Sequence, residues 1–287
     1  MKKKLLITGY RLYLHSLALV SPQKAGEKGF QLFCTPRSKP VKPHHLEFLK
    51  TASWFVREVN GHTVQGYQWG HGPKKVLLLH GWQSHSYRWK KYVEKFPAEE
   101  YTLIAVDAPA HGLSKGKYFT VVLYNELIQD LSTAFGHFHS IVGHSIGGFA
   151  LLYALYKNPS LSTTQIVVMG APGEVDDFFT PLQETLSLNK RTMKAIRQHF
   201  ENQIGKAPSY FSSLRFAKEL SLKGLIVHDE EDQEAPFHYA QRLAQVWSSA
   251  VLVKTKGAGH NLRDPKVIHL VTDFIQEKEI AKSDVSL

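Results

Sequence analysis

The stretch Ser140-Ile141-Val142-Gly143-His144-Ser145-Ile146-Gly147-Gly148-Phe149-Ala150 constrains the fold more than any other part of this 287-residue chain. An apolar run ends in Gly-x-Ser-x-Gly and passes into a helix-forming segment, Phe149 to Tyr156, which is the setting of a tight strand-to-helix turn. A serine at the apex of such a turn is forced into a strained backbone conformation, and its neighbours must be small because strand and helix nearly touch there. Gly143, Gly147 and Gly148 supply that room. The turn lifts the Ser145 hydroxyl above the sheet edge and makes it a nucleophile candidate. The main-chain N–H of Ile146 then lies at a helix start, where unpaired donors and the helix dipole favour a developing oxyanion.

The rest of the chain supplies the sheet this turn needs. Trp54 to Val59 and Thr63 to Trp69 are β-rich runs separated by Asn60-Gly61, a two-residue hairpin signal. Apolar runs at Val76–His80, Leu103–Val106, Gln165–Met169, Leu225–His228 and Val251–Thr255 read as strands covered on both faces. Helical segments at about 86–96, 120–135, 237–247 and 265–277 alternate with them. Strands alternating with helices predict an α/β fold with a mostly parallel sheet and helices on both faces. The rhythm breaks between Gly173 and Ser213, where two helical stripes, Phe178/Phe179/Leu182/Leu186 and Met193/Ile196/Phe200/Ile204, predict an all-helical insertion. It reads as a lid.

Charge separates the N-terminal part from the rest. The chain carries 35 Lys and Arg against 25 Asp and Glu, and most of the surplus lies in the first fifty residues. Lys2 to Lys4 followed by Leu5-Leu6-Ile7 looks like the start of a secretory signal, but Arg11 and His15 interrupt the apolar run and no clean cleavage site follows. The first reading of this segment is a packed helix, the second an amphipathic membrane-surface helix, and the third an export signal. Residues 21–43, rich in Pro, Gly and Lys, read as an extended arm. The basic extension comes with no zinc-ligand set or nucleic-acid-binding signature, so no nucleic-acid partner is expected. Cys34 stands alone, which excludes an intrachain disulfide and favours a reducing, cytoplasmic setting. The sixteen histidines form no metal-ligand spacing, and neither metal nor cofactor is expected.

A nucleophilic serine needs a base, and the base needs a group to orient it. His260 lies in the glycine-rich loop Lys256-Gly257-Ala258-Gly259-His260-Asn261, and Asp232 lies just past a buried strand in Asp229-Glu230-Glu231-Asp232-Gln233-Glu234-Ala235-Pro236. Asp229, Glu230 and Glu231 crowd Asp232 and compete for the acid's place. Ser21-Pro22-Gln23-Lys24 matches the Ser-x-x-Lys of another serine-enzyme class, without companion motifs, and reads as chance.

From about Trp54 to Ile275 the chain resembles the α/β-hydrolase superfamily, in particular its small bacterial serine hydrolases. Four motifs agree in order: His80-Gly81-Trp82 after a strand, Asp107 to Ser114 resembling Asp-x-Pro-Gly-His-Gly-x-Ser, Gly-His-Ser-x-Gly-Gly at 143–148, and the Asp232 and His260 loops. Ala110 stands where glycine is usual. The resemblance implies Ser145 as nucleophile, His260 as general base and then acid, and Asp232 as the carboxylate that fixes the imidazole tautomer. Asp176 and Asp177 are the alternative position for the acid. The oxyanion hole is implied at the backbone N–H groups of Trp82 and Ile146. Expected domains are a basic extension at 1–52 on or wrapping the core, an α/β-hydrolase core at 53–172 and 219–287, and a helical lid insertion at 173–218. The expected function is hydrolysis of a small to medium acyl ester, thioester or amide through an acyl-enzyme. Alternatives on the same fold are carbon–carbon hydrolysis, a lyase, cofactor-free oxidative chemistry or a non-catalytic binding protein. The expected partners are a small acyl substrate and, through the basic N-terminus, a weak membrane-surface contact.

Overall fold

The computed structural model describes residues 2–37 and 40–278, so the parts of the readings that fall on 1, 38–39 and 279–287 lie outside the described residues. In chain order the elements are α1 (Lys2–Val20), α2 (Pro22–Cys34), α3 (Pro43–Leu49), β1 (Ser53–Val59), β2 (His62–Trp69), β3 (Lys74–Leu79), α4 (Lys90–Val93), β4 (Tyr101–Val106), α5 (Val121–Phe135), β5 (Phe138–His144), α6 (Ile146–Lys157), β6 (Thr163–Met169), α7 (Phe179–Leu186), α8 (Lys190–Ile204), α9 (Ser213–Ala217), β7 (Lys223–Asp229), α10 (His238–Val246), β8 (Ala250–Thr255) and α11 (Pro265–Ile275).

The eight strands form one sheet in the order β1-β2-β4-β3-β5-β6-β7-β8. The first two pairings, β1 with β2 and β2 with β4, are antiparallel, and every other pairing is parallel. The β1–β2 hairpin turns on Asn60 and Gly61, both at positive φ (47° and 75°), as a tight two-residue turn requires. Alternation along the strands divides the core. Val76, Leu78, Leu103, Ala105, Val142, Val167, Leu225 and Val253 face a cluster completed by Trp89, Tyr92, Leu262 and the apolar stripe of α11. Their neighbours Leu77, Leu79, Ile104, Ile141, Ile166 and Ile226 are equally buried and point to the other face. Burial on both sides accounts for the continuous apolar runs.

The chain divides by contact into two compact units, Pro36–Gly173 with Ser213–Leu287 and Met1–Thr35 with Glu174–Ser212. The first contains the sheet. The second is helical, with α1 and α2 packed against the insertion helices α7 and α8. The extension read as 1–52 therefore splits near Thr35. Its latter part belongs with the sheet, because Leu49 of α3 is wholly buried in the sheet's core cluster and Phe48 stacks on Trp69 at 5.3 Å.

Two local expectations are corrected. The extended arm over 21–43 is mostly helix, with α2 covering Pro22–Cys34. Ser21 caps it by accepting from the Lys24 N–H at 3.4 Å, and Pro22 takes the first turn, where its missing N–H costs nothing. Gly26 and Gly29 do not break this helix, because they are where α8 comes close. A methyl group on Gly26 would run into the Ala195 carbonyl oxygen, and one on Gly29 into the Ile196 side chain. The second correction concerns 86–96, a short 3-10 turn (Ser86–Trp89) leading into α4, which stops at Val93. Pro97 follows and disfavours helical backbone at Phe96.

Candidate active site

Ser145 sits between β5 and α6 with φ 54° and ψ −126°, a left-handed conformation that costs a non-glycine residue about 1–3 kcal/mol. Close packing enforces it. A Cβ on Gly143 would lie 2.5 Å from the Gly148 backbone, and one on Gly147 2.5 Å from the Leu79 carbonyl oxygen. The main-chain N–H of Ser145 donates to Met169 O at 2.8 Å and ties the turn to the neighbouring strand. The N–H groups of Gly148 and Phe149 return to Ser145 O. The N–H of Ile146 has no acceptor among the described residues, nor has that of Trp82.

The segment His80-Gly81-Trp82 leaves β3 directly alongside. A Cβ on Gly81 would sit 2.8 Å from Ser145 Cβ, so only glycine admits this approach. His80 is buried. Its Nε2 accepts from the Ala108 N–H at 2.9 Å, its Nδ1–H donates to Gly81 O at 2.7 Å, and its own carbonyl accepts from Tyr124 Oη at 3.2 Å. The Trp82 ring meets His111 and Phe119 edge-on at 5.4 and 5.7 Å. Asp107 holds the adjoining loop, with Oδ1 accepting from Ser86 N and Oγ and Oδ2 from Tyr67 Oη and the Leu113 N–H. Ala110, where glycine is usual, adopts φ 62° and keeps the turn that glycine would have made.

The loops after β7 and β8 bring two more side chains to Ser145. His260 Nε2 lies 3.0 Å from Ser145 Oγ, and its Nδ1 lies 2.8 Å from Asp232 Oδ2. With the Nδ1–H donating to the carboxylate, Nε2 is left to accept from the serine hydroxyl. The Asp232 side chain is wholly buried, and Oδ1 accepts from the N–H groups of Glu234 and Ala235 at 2.8 and 2.9 Å. Burial alone would raise its pKa, but the hydrogen bond from His260 and those two N–H groups outweigh burial and hold it below the usual carboxylate value.

Its competitors are engaged elsewhere. Asp229 accepts from Glu231 N–H, Thr255 Oγ1 and Ala258 N–H and so joins the two loops. Glu230 and Glu231 pair with Lys254 and Lys256 at the surface. Asp176 is paired with Arg197 in the helical unit.

One participant carried no sequence signal. Arg88, almost wholly buried, donates from Nη1 to His144 Nδ1 at 2.8 Å and from Nη2 to Asn261 O at 3.1 Å. His144 Nε2–H in turn donates to His260 O at 2.8 Å. The guanidinium thus holds two successive carbonyls of the histidine loop, one directly and one through the imidazole. None of its hydrogen-bond partners is a carboxylate, and burial pushes its pKa down to about 9, still cationic at neutral pH. His144, inside the serine motif, thus holds the histidine loop rather than the substrate. Arg88 was invisible because an arginine between Tyr87 and Trp89 reads as an ordinary helix-surface charge.

Residues 71–250 match the family model described as serine aminopeptidase, S33. Among curated proteins, the AB hydrolase superfamily protein YisY of Bacillus subtilis is 23% identical over 275 residues, covering 80% of this chain and 98% of that protein. Among solved structures, the esterase RhEst1 from Rhodococcus sp. ECU1013 superposes with a TM-score of 0.58 at 16% identity, covering 79% of this chain and 99% of that one. The meta-cleavage product hydrolase CumD from Pseudomonas fluorescens IP01 gives 0.58 at 19% identity, covering 78% and 97%.

Proposed function

The chain belongs to the α/β-hydrolase superfamily, in the serine aminopeptidase S33 family, and on that premise we propose that it is a serine hydrolase acting on a small to medium acyl ester, thioester or amide. The observation that carries the reading is the unbroken hydrogen-bonded line from Ser145 Oγ through His260 to Asp232, at 3.0 and 2.8 Å. In this reading His260 Nε2 takes the hydroxyl proton as Ser145 Oγ attacks the substrate carbonyl. Asp232, held ionised, stabilises the imidazolium that forms. The carbonyl oxygen becomes an oxyanion facing the free N–H groups of Trp82 and Ile146, the latter backed by the α6 dipole. On collapse His260 returns its proton to the leaving group. It then takes a proton from water, and the hydroxide equivalent releases the acid from Ser145.

A fluorophosphonate probe should label the wild type and leave Ser145→Ala unlabelled. p-Nitrophenyl esters of increasing chain length should be hydrolysed by the wild type alone. Labelling without turnover of any ester would favour the second reading, carbon–carbon bond hydrolysis, which the structural likeness to a meta-cleavage product hydrolase supports. Absence of labelling in the wild type would overturn both.

A further inference from the structure

Fifteen large hydrophobic side chains are exposed among the described residues, and seven belong to the single helix α1: Leu5, Leu6, Tyr10, Leu12, Tyr13, Leu19 and Val20. At about 100° per residue, Leu5, Leu12 and Leu19 make one row and Leu6, Tyr13 and Val20 a second, with only Gly9 and Ser16 between them. The sector spans about 140°, and its only charged position is Lys2, at the start of the helix on the second row. Ile7, Leu14 and Ala18 lie on the opposite side, where α1 packs within its own unit, and Leu14 and Ala18 are buried there. The helix is therefore apolar on two sides, and among the described residues of its own unit only one of them is covered. A helix apolar all round is ordinarily buried.

Charge identifies what covers the second side. The first 26 residues hold Lys2, Lys3, Lys4, Arg11 and Lys24 and no acidic residue, and the helical unit carries eleven Lys and Arg against six Asp and Glu. Asn189 N–H donates to His15 Nε2 at 3.1 Å, which moors the first turn of α8 beside α1 on the flank next to the Leu12 and Leu19 row. Lys190, Arg191 and Lys194, all exposed, start from that turn. Basic groups thus stand at the helix start and along one edge of the apolar strip. A second copy of the chain would bring the same positive charge to this face and be repelled. An anionic bilayer offers acyl chains to the strip and headgroup phosphates to its rim. No described helix is long and apolar enough to cross a membrane, so α1 would lie in the interface plane.

We infer that the exposed face of α1, with Lys4 near its start and the first turn of α8 along one edge, is a docking surface for an anionic phospholipid bilayer. This surface is made by α1 and its neighbours in the helical unit and involves none of the residues assigned to hydrolase chemistry.

The test is sedimentation of the full-length protein with vesicles of phosphatidylcholine alone or mixed with phosphatidylglycerol. The protein should partition onto the mixed vesicles at least about tenfold more tightly and be released as salt rises. Replacing Lys2, Lys3 and Lys4 by Gln should weaken binding about a hundredfold at low salt, and Leu12→Glu should abolish it. Both variants alter exposed or terminal positions, so circular dichroism and turnover of a soluble ester should match the wild type. The inference is overturned if the wild type stays in the supernatant with both vesicles, or if it binds neutral vesicles equally well. It is likewise overturned if Leu12→Glu converts a dimer into a monomer by light scattering while the parent protein ignores vesicles, which would assign the face to a second copy.

Discussion

Both oxygens of Asp232 are occupied, one by two main-chain N–H groups and the other by His260. An amide at this position keeps the first set but presents an N–H₂ to His260 Nδ1, which must then become an acceptor. Nε2 gains the proton and can no longer take one from Ser145. Asp232→Asn should therefore lower kcat by about 10⁴-fold with little change in KM and little loss of stability, measured by steady-state kinetics and urea unfolding. Arg88 is a positioning residue at one remove. Arg88→Met removes a buried, carboxylate-free charge but frees the carbonyl of Asn261 and orphans His144 Nδ1. The two effects on stability oppose each other and should cancel to within about 2 kcal/mol, whereas kcat should fall at least about tenfold. Arg88→Lys should not restore it, because one ammonium cannot reproduce the planar fork that reaches both acceptors.

Among the elements, α2 shows how packing overrides propensity. Glycine costs about 1 kcal/mol in a helix interior relative to alanine, so on propensity alone Gly26→Ala should stabilise. The added methyl would meet main-chain atoms of α8 that cannot rotate away, and the change should instead destabilise the helical unit by about 1–3 kcal/mol. Gly9 in α1 has nothing within 4 Å of a built Cβ, and Gly9→Ala should stabilise by up to about 1 kcal/mol. Cys34, at the end of α2, reports on both. It is buried, and burial pushes its thiol up to about 12, so near neutral pH it should resist alkylation until the unit opens. Alkylation should be faster in Gly26→Ala and slower in Gly9→Ala. The same comparison explains the misread arm: composition marked Gly26 and Gly29 as breakers, and only the approach of α8, more than 160 residues away in sequence, makes them contacts.

At the scale of the whole molecule, buried histidines couple the fold to acid. His80 and His144 lie well below their ordinary pKa, chiefly because burial penalises the imidazolium. Below about pH 6.5 the unfolded chain binds protons at these sites and the folded chain does not, so stability is complete above that pH and falls on acidification. Each histidine should contribute a slope of up to about 1.4 kcal/mol per pH unit, and urea midpoints should drop as pH is lowered from about 7 to about 5. A flat midpoint across that interval would contradict this account. The sequence by itself determined the strand–helix alternation, the hairpin at Asn60-Gly61 and the place of the serine turn, because these depend on periodicities and backbone allowances that short stretches carry within themselves. It also offered Ser145, Asp232 and His260 as residues to be brought together, but left Asp229, Glu230 and Glu231 open beside Asp232. The tertiary structure decided which carboxylate meets the imidazole, since four neighbouring acids differ only in where a loop aims them. It alone placed Arg88 beneath the histidine loop, joined the N-terminal helices to the insertion and left one side of α1 exposed among the described residues. Each of those outcomes depends on which distant surfaces come into contact, and no local pattern records that.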